Sequence, residues 1–167
     1  MAQLLRDHFG EVWRLLRRFG LAPDVADDAS QEVFLVASRK FREADLPTAR
    51  RFLYGVALRV AANARRSQRQ LNKHRSETEV GEVPSGTPSS EELLRRKRAR
   101  ELLERFVNEM PDDLATAFVM FELEGMSLDE IARLLSIPLG TVSSRLRRAR
   151  EAFKLAMLRA RESGDIE

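Results

Sequence analysis

From Met110 to Arg150 the chain reads MPDDLATAFVMFELEGMSLDEIARLLSIPLGTVSSRLRRAR, and no other stretch restricts the possible folds so strongly. Ser127 and Glu130 have the S-x-x-E spacing of a capping box, in which hydroxyl and carboxylate each satisfy an orphaned backbone N–H, so a helix starts at Ser127. Ile131, Leu134 and Leu135 give that helix an inward stripe, and Ala132 is small enough for a neighbouring helix to approach. Pro138 ends it, and Gly140-Thr141 reopens the chain into a second helix whose Val142, Leu146, Ala149 and Phe153 recur at core-facing spacing. Two helices so joined make a helix-turn-helix. On the opposite side of the second helix lie Ser144, Arg147, Arg148 and Glu151, flanked by Ser143 and Arg145. A helix in the major groove reads base edges with hydroxyls and arginines near its N-terminus, while later arginines hold phosphates. An arginine-rich outer face on an arbitrary amphipathic helix is merely solvated. Here the capping box, turn and glycine entry make duplex DNA the first candidate ligand.

Composition extends the helical expectation to the rest of the chain. With 43% hydrophobic and 33% charged residues over 167 positions and only 8 glycines, the sequence is globular, rich in Ala, Leu, Arg and Glu, and all-α. It contains no apolar run long enough to cross a bilayer, and its start, MAQLLRDHFG, lacks the apolar region of a secretion signal, so the expected location is the cytoplasm. There are no cysteines, and His8 and His74 are too few and too distant to bind zinc unaided, so no metal or other cofactor is expected.

The formal charge of +3 is unevenly distributed. Arg59 to Arg75 carries six basic residues and no acid, and Leu139 to Arg161 carries seven against Glu151 alone. Two patches of this kind suit two contacts with a polyanion, each neutralised phosphate releasing a counterion. Between them, SETEVGEVPSGTPSS (residues 76–90) has three Glu, two Pro, two Gly and no large apolar side chain beyond valine. That composition reads as a flexible linker. It divides the chain into a helical domain at 1–75 and a second at 91–167.

In the first half, one amphipathic helix runs from Leu4 to Phe19 and is broken by Gly20 and Pro23. Asp24 is expected to cap a second helix with a core stripe of Val25, Ala29, Val33 and Val36. Asp28, Gln31, Glu32 and Leu35 form another face of that helix, an acidic row open either to solvent or to a basic partner. A third helix from about Thr48 past Arg66 turns Phe52, Leu53, Val56, Ala57, Val60 and Ala61 inward. Arg59, Asn63 and Arg66 repeat on one outer face of it, with Arg65 and Arg69 nearby. In the second half, Glu91 to Met110 forms one helix, and Leu114 to Glu124 leads to a glycine cap at Gly125.

These segments together resemble bacterial sigma factors of the extracytoplasmic-function (ECF) type, the small two-domain group of the sigma-70 family. DVADDASQEVFLVASRKF resembles that family's region 2.2, FLYGVALRVAANARR its regions 2.3 to 2.4, and the stretch from Met110 to Arg150 its region 4, in the family's order and across nearly the whole chain. The resemblance implies two small helical domains on a flexible tether and no enzymatic activity or small-molecule substrate. It implies that Asp27, Asp28, Gln31, Glu32 and Phe34 dock on the β′ clamp helices of core RNA polymerase. Arg59, Asn63, Arg65 and Arg66 would lie against the -10 element during melting, and the loop from Phe41 to Pro47 would capture a flipped base at a cost of a few kcal/mol. Thr141, Ser143, Ser144, Arg145, Arg147 and Arg148 would read the -35 element, region 4 would hold the β flap, and the linker would thread the polymerase channel. An anti-sigma factor would restrain the protein, in the cytoplasm or at the membrane.

Three positions depart from the family's pattern. Ser38 stands where tryptophan is usual, Ser136 replaces the glycine of the turn, and Ser143 falls where the family varies. A left-handed Ser136 would cost about 1 kcal/mol relative to glycine. Rival readings are a dimeric helix-turn-helix regulator, for which no dimer seam is visible; a metal-dependent nucleic-acid enzyme with Asp27, Asp28 and Glu32 as ion ligands; and a helical adaptor with no DNA role.

Overall fold

A computed structural model describes residues 2–40, 48–75 and 91–164. The expected capture loop at 41–47 and the linker at 76–90 lie outside the described residues. The described residues are helical, in the order α1 (Ala2–Arg18), α2 (Pro23–Lys40), α3 (Ala49–Arg75), α4 (Glu91–Glu109), α5 (Asp112–Phe118), α6 (Leu128–Leu135) and α7 (Leu139–Glu162).

The breaks between helices follow from backbone chemistry. Gly20, at φ +82°, closes α1, with the Leu21 N–H donating to the Leu16 carbonyl and the Gly20 N–H to Arg17, the paired bonds of a Schellman motif. Pro23 rather than Asp24 opens α2, because its fixed φ suits the first helical position and its missing N–H would have been an orphan there; Asp24 falls inside the first turn. After Phe118, α5 widens into a π-helical turn over Val119–Leu123 and ends at Gly125, φ +69°, the glycine cap expected from the sequence.

The core stripe of α2 is rotated from the expected one. Ala26, Ala29, Ser30, Val33, Phe34 and Ala37 are buried, whereas Val25 and Val36 are half-buried at the stripe's edges. Ser30 is tolerated inside because its hydroxyl donates to the Ala26 carbonyl at 2.7 Å. Phe34 stacks on Phe9 with ring centroids 5.9 Å apart. In α3, Leu53, Val56, Ala57, Val60 and Ala61 are buried as expected, and Tyr54 joins them. Full burial of a Leu or Val side chain contributes about 1.5–3 kcal/mol, so this stripe anchors the first half.

Helices α1, α2 and α3 pack on one another, and α5 and α6 each pack on α7. The halves also meet directly, α1 touching α4 and α3 touching α6, and the buried apolar cluster runs unbroken from Leu15 and Val33 through Val107 and Met110 to Ile131 and Val142. The two helical groups foreseen from the sequence are thus pressed together.

Candidate nucleic-acid interface

The turn that presents α7 is built by local chemistry. Ser127 is the N-cap of α6; its hydroxyl accepts from the Glu130 N–H at 3.3 Å while the Glu130 carboxylate accepts from the Ser127 N–H at 2.8 Å. The Ser127 N–H, and then the Ser127 hydroxyl donating to the same carboxylate oxygen at 2.8 Å, favour the ionised form and hold the Glu130 carboxyl below its ordinary range. Ser136 follows α6 at φ 54°, ψ 46°, in the left-handed region, and the Ile137 N–H donates to the Ala132 carbonyl at 3.1 Å. Serine thus occupies a left-handed position that favours glycine, the residue that the family resemblance leads one to expect there. Pro138 then serves as the N-cap residue of α7.

With the turn so fixed, Val142, Leu146 and Ala149 are buried, and Phe153 packs between Phe106 (5.7 Å, edge-to-face) and Phe118 (5.1 Å). Their burial dictates what faces outward. Ser143, Ser144, Arg147 and Arg148 are exposed, and Thr141 and Arg145 are half-exposed at the margin. Ser143 and Ser144 donate back to the carbonyls of Leu139 and Thr141 at 3.1 and 2.9 Å. Their oxygens remain able to accept from outside. Arg145 pairs with Asp113 of α5 at 3.3 Å, Arg147 with Glu151 at 3.0 Å, and Arg150 with Glu122 at 2.7 Å while lying over the Phe121 ring. Asp113 and Glu122 thus hold Arg145 and Arg150 on opposite margins of the outer face of α7, with Arg147 between them.

The basic row on α3 divides. Arg59, Asn63 and Arg66 are exposed on one face, and the Arg66 guanidinium donates to the Asn63 side-chain oxygen at 3.1 Å. Arg65 departs from the expected interface: it is 2% exposed and lies between the two halves. Its Nη2 donates to the carbonyls of Val107 and Met110 at 2.7 and 2.8 Å, and its Nε lies 3.4 Å from Asp112 Oδ1. The reason is that α4 ends opposite it, and the orphaned carbonyls at that end attract a cation. Burial pulls the Arg65 guanidinium down to about 10, against the favourable charge of Asp112, so it remains cationic at neutral pH.

The acidic row of α2 is presented as expected except at one residue. Asp27, Asp28, Gln31, Glu32 and Leu35 are exposed, Leu35 by 54%. Phe34 is 5% exposed and belongs to the core stripe with Ser30 and Ala37, so the row lacks the ring assigned to it by resemblance. Trp13 of α1, which has no local sequence signal, donates its indole N–H to Asp27 Oδ1 at 2.7 Å and so orients that carboxylate. Among the described residues no group of three His, Cys, Asp or Glu is placed to hold a metal ion. No helix among them is long and apolar enough to cross a membrane.

Comparison with known proteins bears on the same segments. The pattern of sigma-70 region 4 matches residues 100–153. The ECF RNA polymerase sigma-E factor of Escherichia coli is 31% identical over 151 residues, covering 86% of this chain and 78% of its own length. The ECF RNA polymerase sigma factor SigE of Mycolicibacterium smegmatis is 26% identical over 152 residues, and this chain, 91% covered, spans 59% of it. Among solved structures, the sigma factor RpoE from Bartonella quintana, crystallised with the anti-sigma factor NepR, superposes with a TM-score of 0.58 over 93% of this chain and 95% of its own. At 15% identity that likeness is one of fold.

Proposed function

Because the chain belongs to the ECF RNA polymerase sigma factors, we propose that it binds core RNA polymerase, directs it to -35 and -10 promoter elements, and assists melting without bond chemistry of its own. The observation that carries this reading is the outer face of α7. Two hydroxyls and two guanidinium groups, on Ser143, Ser144, Arg147 and Arg148, stand exposed on the helix-turn-helix while its inner stripe is buried. Hydroxyls pair with several bases and arginine grips guanine, which suits the -35 element, with Thr141 and Arg145 at the margins.

Arg59, Asn63 and Arg66 supply a second polyanion surface for the -10 region. Asp27, Asp28 and Glu32 offer carboxylates and Gln31 an amide to the β′ clamp helices, with the exposed Leu35 as an apolar neighbour in place of Phe34. Region 4 holds the β flap. An anti-sigma factor is the proposed restraint, by analogy with the Bartonella protein crystallised with NepR.

Reconstituted transcription tests the reading. Core polymerase supplemented with this chain is expected to start RNA synthesis at a defined position on upstream fragments of its own genome. Fragment libraries that yield no transcript dependent on the added chain would refute it.

A further inference from the structure

Asp27, Asp28 and Glu32 of α2 are exposed, and among the described residues no basic side chain pairs with any of them. Acids elsewhere are matched with cations, Glu104 with Arg17, Asp113 with Arg145 and Glu122 with Arg150. Asp27 does have a partner, but an uncharged one. The indole N–H of Trp13, on α1 and fourteen positions earlier, donates to its Oδ1 at 2.7 Å, a length typical of a bond to an ionised acceptor. Trp13 is half-buried and packs against the core at the edge of a stripe in which Val12, Leu15 and Leu16 are buried. Packing of α1 on α2 therefore fixes the ring and aims its one donor at the acidic row.

The kind of donor matters. A lysine or arginine in place of Trp13 would orient the Asp27 carboxylate but also cancel its charge. An indole N–H orients it and leaves the charge whole, and a ring with two side-chain torsions loses little rotamer freedom in doing so. An ionised carboxylate has about four acceptor sites, of which the indole takes one, so a cation arriving from outside still finds acceptors on both oxygens. The bond is itself exposed and exchanges readily with water, so it adds little to folding. Its effect is on geometry: a side chain ordered beforehand need not be ordered when a partner binds. Phe34, the ring assigned to this row by resemblance, is buried and stacked on Phe9, whereas Trp13 reaches the row directly. We propose, resting on the docking role assigned to α2, that Trp13 is a positioning residue for polymerase binding, its indole N–H holding the Asp27 carboxylate, fully charged, in the orientation that a lysine or arginine of the polymerase meets.

Equilibrium binding of the full chain to core RNA polymerase, read by interferometry, tests the assignment. Trp13→Phe keeps an aromatic ring and removes the N–H; it is expected to weaken binding about two- to tenfold, the equivalent of ordering one flexible side chain on association. Asp27→Ala is expected to weaken binding at least as much. Adding Trp13→Phe to Asp27→Ala should then change the affinity by less than about twofold, because the N–H has no carboxylate left to hold. A loss caused only by poorer packing of the smaller ring would instead persist at full size without Asp27. Because Trp13 is the chain's single tryptophan, benzothienylalanine, with sulfur in place of the indole N–H, can be placed there alone. It keeps the ring's shape and is expected to bind polymerase as weakly as Trp13→Phe, and it decides by itself if Trp13→Phe loses its helical circular dichroism. Parent-like affinity of the sulfur analogue, or an equal loss from Trp13→Phe with and without Asp27, overturns the positioning role and leaves the docking role of α2 standing so long as Asp27→Ala binds more weakly than the parent. If the parent chain does not bind core polymerase, or Asp27→Ala binds as the parent does, the docking role fails and the positioning role with it.

Discussion

The salt dependence of duplex binding can be worked from the charges on α7. Three guanidinium groups, on Arg145, Arg147 and Arg148, lie on or beside its outer face. If each neutralises one phosphate, they contribute about −2.7 to the slope of log K against log salt, at about −0.9 per contact. A fourfold rise in salt, from about 50 to about 200 mM, then weakens binding about 40-fold through these contacts alone. Arg148→Ala should reduce the slope by about 0.9 and the same fourfold rise should cost about 12-fold. The term is independent of sequence, so any labelled duplex of about 20 base pairs serves, read by fluorescence anisotropy. Other basic groups add to both slopes and cancel in the difference. Arg147 should behave differently, because Glu151 holds it at 3.0 Å and that pair must be exchanged for a phosphate. Breaking an exposed pair of this spacing costs about 0.3–0.5 kcal/mol, so Glu151→Gln should tighten low-salt binding about twofold. A slope for Arg148→Ala indistinguishable from the parent value would refute the assignment of this face to phosphate and base contact.

Polymerase docking and stability give further expectations. Asp28→Ala combined with Glu32→Ala should weaken binding to core polymerase in a pull-down or interferometry assay without loss of duplex affinity; reduced duplex affinity would undo the division of labour between α2 and α7. Ser136→Gly should stabilise the chain by about 0.5–1 kcal/mol, the relief of left-handed strain exceeding the added freedom of the unfolded chain, and raise the melting temperature by a few degrees; a lower melting temperature would contradict it. The Glu130 carboxyl titrates below its ordinary value in the folded chain, so its contribution is present above the unfolded carboxyl range and is lost as pH falls through the folded value. Glu130→Gln should therefore flatten the acid limb of stability measured by urea unfolding below about pH 5, and an unaltered limb would argue against the capping box as its source.

Local periodicity and capping chemistry along the chain determine by themselves that the protein is helical, where α6 and α7 begin, and which side of α7 faces outward. Those features depend on bonds and side chains within about four residues of one another, and such separations are readable along the chain. The acidic row of α2 is legible for the same reason. Phe34 is not, because the small residues flanking it, Ala29, Ser30 and Ala37, leave the angle of the buried stripe open until α1 and α3 pack against it. The fate of Arg65 could be decided only in three dimensions. Its partners are the carbonyls 42 and 45 positions later, and a cation on an amphipathic helix points to solvent or into an interface according to what another segment places opposite it. Trp13 beside Asp27, and Glu124 between Arg18 and Tyr54, belong to the same class. Helical spacing sets the direction of a side chain from its own axis, whereas whether that direction meets water or the end of a distant helix is fixed by packing.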